Sequence, residues 1–162
     1  MTNHADSSAR NLGSVFDAHV KHEFVDRDVE ATMRTLMEEP SFLHVPTVTG
    51  GAGGRDVRQF YEQYFVGKWP ADTTVSQISR TVGEKQVVDE LLLRFTHNVP
   101  LAFMLPGVPP TDKPVKLPVV VVMKFENGKI AHDTFAGTRA SLLGHEYMKI
   151  ASSHGNAMNV FL

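Results

Sequence analysis

Apolar β-branched, aliphatic and aromatic positions are dense over residues 87–97 (VVDELLLRFTH), 115–125 and 130–135, which together predict three β-strands. In the first, Asp89, Leu91, Leu93, Phe95 and His97 share one side, and Val88, Glu90, Leu92, Arg94 and Thr96 share the other. The second set tolerates solvent better, so the first is expected to face the core. A bulge would exchange Glu90 for Asp89. Glu126-Asn127-Gly128-Lys129 joins the other two strands, and Asn-Gly favours a type I′ turn, whose two central residues need positive φ. Counting back from that turn sets Phe125 opposite Ile130, Met123 opposite His132, Val121 opposite Thr134 and Val120 opposite Phe135. His132 is thereby expected among apolar neighbours. The outer face is expected to carry Lys124, Asp133, Val122, Val120 and Phe135, and its apolar end predicts a cover, most simply a second copy of the chain in a homodimer.

Helical spacing comes earlier. Phe16, Val20 and Phe24 mark one helix, and Val29, Met33, Leu36 and Met37 a second that Pro40 ends. Val57, Phe60, Tyr61, Tyr64 and Phe65 give a third an aromatic face. Between the second and third, residues 41–48 read as a short strand. The GGAGG run after it reads as a flexible connector, since it lacks the Gly-Lys-Ser/Thr ending of a phosphate loop. A polar, β-branched strand is expected over 73–82. Residues 98–114 hold five prolines, which cannot donate to a sheet ladder, so they read as a loop. Its Leu101, Phe103, Met104 and Leu105 need burial, as a lid on a pocket or at a subunit contact. A helix containing Leu142, Leu143, Tyr147 and Ile150 is expected near the end. Helices first and strands later predict an α+β fold, with helices on one face of a mostly antiparallel sheet. The expected organisation is a flexible N-terminus over 1–11, a single domain over 12–150 and a tail over 151–162.

Composition narrows the function classes. The chain has 162 residues, enough for one domain with a sizeable core. A net charge of −2 argues against a nucleic-acid partner, which needs a basic footprint. The absence of cysteine excludes disulfides, thiolate metal sites and a cysteine nucleophile. No apolar run is long enough to span a bilayer, and MTNHADSSAR lacks the regions of a secretory signal, so a soluble cytoplasmic protein without membrane contact is expected.

The order of elements, with PSFLHVPTVTGGAGG at 40–54, the Tyr/Phe-rich helix at 57–65, VVDELLLRFTH, MLPGVPPTDKPVKLP at 104–118 and FENGKIAHD at 125–133, resembles the SnoaL-like branch of the nuclear-transport-factor-two-like superfamily. The resemblance covers roughly residues 10–145. It implies a cone, in which a curved, mostly antiparallel sheet wraps about three N-terminal helices and encloses a pocket, as in ketosteroid isomerase, scytalone dehydratase and limonene epoxide hydrolase. Such folds host isomerases, dehydratases, polyketide cyclases, hydrolases and non-catalytic binders. Relatives often carry aromatic and acidic residues just past the last strand, where this chain has Ala136-Gly137-Thr138-Arg139, and the Asp-Arg-Asp set of the epoxide hydrolases is not evident.

With that cone, the residues expected to line the pocket follow. Asp89, His97, His132 and His44 are the candidate catalytic groups, because a carboxyl in an apolar cavity is desolvated toward neutral pH, where histidine already titrates. Asp89 as base with His97 or His132 as acid could take a proton α to a carbonyl, the step that isomerisation, dehydration and aldol-type cyclisation share. Tyr61, Tyr64, Trp69, Phe95, Phe103, Met104, Val121, Met123 and Thr134 are the candidate substrate contacts. No close-spaced ligand motif predicts a metal, and no cofactor is expected. The expected function is acid/base chemistry on a small apolar carbonyl compound. Two alternatives stand beside it, a non-catalytic dimeric ligand-binding module and a hydrolase using a pocket-held water.

Overall fold

The computed structural model describes the backbone of residues 3–137 and the side chains of residues 12–137. The expected helix around Leu142–Ile150 and the tail lie outside the described residues. Among these, no helix is long and apolar enough to cross a membrane.

Helix α1 (Asn3–Lys21) runs into a π-helical turn at His22–Asp26, and α2 (Val29–Thr35) follows. Arg27 closes the π turn in the left-handed region, and Asp28 caps α2 by accepting the Ala31 N–H at 3.0 Å. Strand β1 (Leu36–His44) starts where the sequence suggests more helix, so Leu36, Met37 and Pro40 belong to a strand. Their spacing fits a strand equally, since Leu36, Pro40, Phe42 and His44 are all buried.

The glycine run also departs from expectation. Thr49–Ala52 forms β2, paired antiparallel with β1 through a turn at 45–48. The glycines are there for closeness: a Cβ on Gly50 would sit 2.0 Å from the Phe42 carbonyl oxygen, and one on Gly51 would sit 2.7 Å from that of Asp56. Helix α3 (Gly54–Phe60) leaves directly from this hairpin and ends in a second π-helical turn, Tyr61–Phe65.

The remaining strands are β3 (Thr74–Val82), β4 (Gln86–Thr96), β5 (Pro114–Glu126) and β6 (Lys129–Gly137). They form one six-stranded sheet in the order β2-β1-β6-β5-β4-β3, antiparallel except between β1 and β6. This is the α+β cone expected from the sequence. Asn127 and Gly128 both have positive φ, so the hairpin turn is of the expected kind.

One register is corrected. Phe125 pairs with Ile130 as expected, but a bulge follows, and beyond it Lys124 pairs with His132, Met123 with Asp133, Val122 with Thr134 and Val121 with Phe135. The extra residue reverses the faces of β6. Asp133 and Phe135 turn into the cone, while His132 and Thr134 share the half-covered outer face with Val120, Val122 and Lys124.

Inside, the rings of Phe24, Phe42, Phe60, Tyr61, Phe65, Trp69, Phe95, Phe103 and Phe135 form one continuous cluster with centroids 4.8–6.3 Å apart. The Pro-rich loop contributes Leu101, Phe103, Met104 and Leu105, all buried. Both the burial of that loop's apolar residues and the inward placement of Phe103 were legible in the sequence.

Candidate active site

Four polar side chains meet in the interior, each brought by a different element. His19 comes from the inner face of α1 and Glu23 from the first π turn, i,i+4 apart, with Tyr61 from the second π turn and Asp133 from β6 past the bulge. All four are at most 4% exposed. His19 Nε2 lies 3.1 Å from Glu23 Oε1, 3.4 Å from the Tyr61 hydroxyl and 3.8 Å from Asp133 Oδ2. Glu23 Oε1 is within ion-pair reach of the imidazole without an aligned hydrogen bond, and Asp133 Oδ1 has no hydrogen-bond partner. Two of the four therefore sit on π turns, whose extra residue per turn re-aims a side chain within a helix.

Electrostatics follow from the crowding. Burial, with the Glu23 charge beside it, pushes the Asp133 carboxyl up to about 7, against a smaller opposing pull from His19. For His19 burial works to lower the pKa, but the Glu23 and Asp133 carboxylates outweigh it and the net shift is upward. Burial, then the two carboxylates, raises the Tyr61 hydroxyl well above its ordinary range, so it stays a donor. One nitrogen and one oxygen from each carboxylate lie within 4.8 Å of one another, close enough to share protons.

The sequence family follows from the same stretch of chain. The model for the SnoaL-like domain matches residues 16–133, from Phe16 on α1's core face to the buried aspartate. The chain belongs to the SnoaL-like domain family. Solved structures agree on the fold. A putative SnoaL-like polyketide cyclase from Jannaschia sp. CCS1 is 16% identical with a TM-score of 0.63, over 88% of this chain and 93% of its own. An epoxide hydrolase of M. tuberculosis resembling limonene epoxide hydrolase is 10% identical, TM-score 0.62, over 90% and 96%. A putative ketosteroid isomerase from Kribbella flavida DSM 17836 is 13% identical, TM-score 0.57, over 80% and 79%. No curated protein matches the sequence.

Within this SnoaL-like chain, the four groups singled out from sequence each have a partner of their own, although His44 Nε2 and His97 Nε2 are buried without one. Asp89 is buried on the core face as expected, but it receives two hydrogen bonds from Arg80, both at 2.7 Å, and one from Gln77 at 3.1 Å. Arg80 reaches on to the exposed Asp17 at 2.6 Å. It ties α1 to β3 and β4 beside an open groove of ≈ 440 Å³. His97 is buried just past β4, with Nδ1 3.2 Å from the Thr111 hydroxyl, and its backbone pins the Pro-rich loop through Lys113, Thr111 and Asp112. His44 is buried with Nδ1 2.6 Å from the Thr47 hydroxyl, and burial lowers it to about 4. His132, on the outer face, has both nitrogens occupied, by Ser41 at 2.6 Å and Thr134 at 2.8 Å. Its pKa is lowered by burial and then by Lys124.

Of the expected substrate contacts, Tyr61, Trp69, Phe95, Phe103, Met104, Val121 and Met123 are buried in the cone. Tyr64 is 44% exposed and Thr134 faces outward, so neither reaches the interior. His19, Glu23 and Asp133 were missed. A signal existed for the first two: Leu12, Phe16, His19 and Glu23 follow helical spacing, so a polar pair interrupts an apolar stripe. For Asp133 there was none, because nothing in IAHD announces a bulge.

Proposed function

We propose that this chain is a small acid/base enzyme acting on an apolar carbonyl compound, with Asp133 as the base and His19 and Tyr61 as hydrogen-bond donors to the oxygen. The supporting observation is the buried Asp133 carboxyl, raised toward neutrality beside an imidazole and a phenol whose pKa values are also raised. Ionised Asp133 takes a proton α to the carbonyl, and the electron pair moves onto oxygen as an enolate. His19 Nε2–H and the Tyr61 hydroxyl, 3.4 Å apart, can both face that oxygen. Returning the proton at another carbon gives isomerisation, loss of a β-hydroxyl gives dehydration, and attack on a second carbonyl gives ring closure. Asp133, His19 and Tyr61 supply the base and the two donors that this step calls for. The isomerase and cyclase names of the structural neighbours are compatible with this chemistry.

The test is exchange of α-protons for deuterium in a panel of apolar ketones, followed by NMR in D2O. Acceleration by the wild type and its loss in Asp133→Asn are expected. Exchange at the uncatalysed rate across the panel, or equal rates for the two proteins, would sink the proposal.

A second reading is favoured by one observation: Phe103, Phe135, Phe65 and Trp69 fill the cone beside the polar cluster. A non-catalytic module that binds apolar ligands by displacing Phe103 would look the same. Ligand uptake without exchange in the same panel identifies it.

A further inference from the structure

Helix α2 ends in a way that dictates the protonation of His19. In a continuing helix the Thr32 carbonyl would accept the N–H of Leu36, but that N–H goes to Met33 instead. The Thr35 hydroxyl takes its place, donating its single proton to the Thr32 carbonyl at 2.6 Å. Thr35 Oγ1 therefore has only lone pairs left for His19 Nδ1, which lies 2.6 Å away and must carry a proton to bond there. The Thr32 hydroxyl offers no escape, because it is bound to the Asp28 carbonyl at 2.8 Å.

The other nitrogen is constrained as tightly. Nε2 faces Glu23 Oε1 from the first π turn, Asp133 Oδ2 from β6 and the Tyr61 hydroxyl from the second π turn. A bare lone pair there would oppose the carboxylate oxygens across 3.1 and 3.8 Å in a dry interior, so Nε2 also needs its proton.

We propose that Thr35 is a positioning residue that locks His19 as an imidazolium through neutral pH, making it a cation for the substrate oxygen rather than a base. The assignment rests on the acid/base reading of the cluster for its catalytic meaning, while the protonation itself does not. It divides the labour within the site, since a histidine that holds its proton through neutral pH leaves Asp133 as the group that accepts one. Removing the Thr35 oxygen leaves Nδ1 with no acceptor. The ring can then become neutral while keeping Nε2–H toward the carboxylates.

The experiment is 15N NMR of selectively labelled histidine in the wild type and in Thr35→Val and Thr35→Ser. In the wild type both His19 nitrogens should read as protonated at pH of about 8, more than a unit above free histidine. Thr35→Val should shift the Nδ1 resonance to the unprotonated position at that pH, and Thr35→Ser should restore it. If the ketone panel is turned over, Thr35→Val should also move the alkaline limb of kcat to lower pH. A neutral His19 in the wild type at that pH, in either tautomer, overturns the proposal even if Thr35→Val does not fold. Absence of α-proton exchange with His19 fully protonated would overturn the enzyme reading and leave the lock standing.

Discussion

Asp133 stands opposite Met123 across the β5–β6 ladder, one residue out of step with the register that the Asn127-Gly128 turn would set unbulged. That step carries its carboxyl from water into the cone and fixes the pH behaviour of the site. Asp133 ordinarily titrates at 3.8 and here at about 7, so the fold favours the protonated form. Its contribution is unfavourable above the unfolded value, and stability is lost as pH rises from about 4 to about 7. Asp133→Asn is expected to stabilise the protein by about 1–3 kcal/mol above neutral pH and to leave it unchanged in acid. Denaturant titrations at the two pH values measure this.

Turnover should carry the same signature with the opposite sign. The base must be ionised, so the rate of α-proton exchange is expected to climb as pH rises through about 7, where Asp133 loses its proton. At higher pH it should fall as His19, whose pKa is raised, finally deprotonates. A rate that is flat between pH of about 5 and 8 would remove Asp133 from the role of base.

The fold could be read from the chain because its signals are local. The Asn127-Gly128 turn, the alternation of Asp89 through Phe95 and the prolines of the long loop each act over a few residues, and each was found in place. The site could not be read so well, because its geometry depends on single-residue irregularities. A bulge after Phe125 exchanged His132 for Asp133, and two π turns set Glu23 and Tyr61. Asp89 illustrates the converse. Its face was read correctly, yet the arginine that neutralises it comes from a neighbouring strand, and cross-strand partners at a bulged edge cannot be counted from sequence.

That pairing predicts a role in folding for Asp89. Its carboxylate is buried and accepts both Arg80 bonds, with Arg80 also stacked on Phe16 at 4.9 Å. Asp89→Ala leaves the guanidinium without its buried partner and should cost about 3 kcal/mol, at the lower end for a buried pair because Arg80 keeps some solvent contact. Asp89→Ala and Arg80→Leu together should cost less than the sum of the two, as a double-mutant cycle would measure. Exchange rates per folded molecule should stay within about twofold of the wild type, whereas a larger loss would return Asp89 to the catalytic set.

Phe103 offers a test of how the cone admits a ligand. Its ring touches His44, Phe60, Phe65 and Trp69 and is carried by the Pro-rich loop. Phe103→Ala is expected to destabilise by about 3–5 kcal/mol through the cavity it leaves. That cavity is lined by rings and should take up a small apolar molecule, so benzene should raise the melting temperature of the variant and not that of the wild type. No such difference would mean that the neighbouring rings collapse into the space, and that entry to the polar cluster does not pass Phe103.

Acid should act on the fold through His44. Burial holds this imidazole at about 4, while its unfolded value is 6.5, so the folded protein prefers it neutral. Between those values the unfolded chain binds a proton that the folded chain does not, and stability is therefore lost as pH falls from about 6.5 to about 4. The loss should be on the order of 1–2 kcal/mol. His44→Leu keeps an apolar group against Phe103 and Phe135 and leaves Thr47 its bond to the Phe103 carbonyl. The variant is expected to lose less stability than the wild type over that range. If the two stability curves run parallel from pH of about 7 down to 4, acid sensitivity arises elsewhere, and the buried His44 nitrogen must already have found a partner in solution.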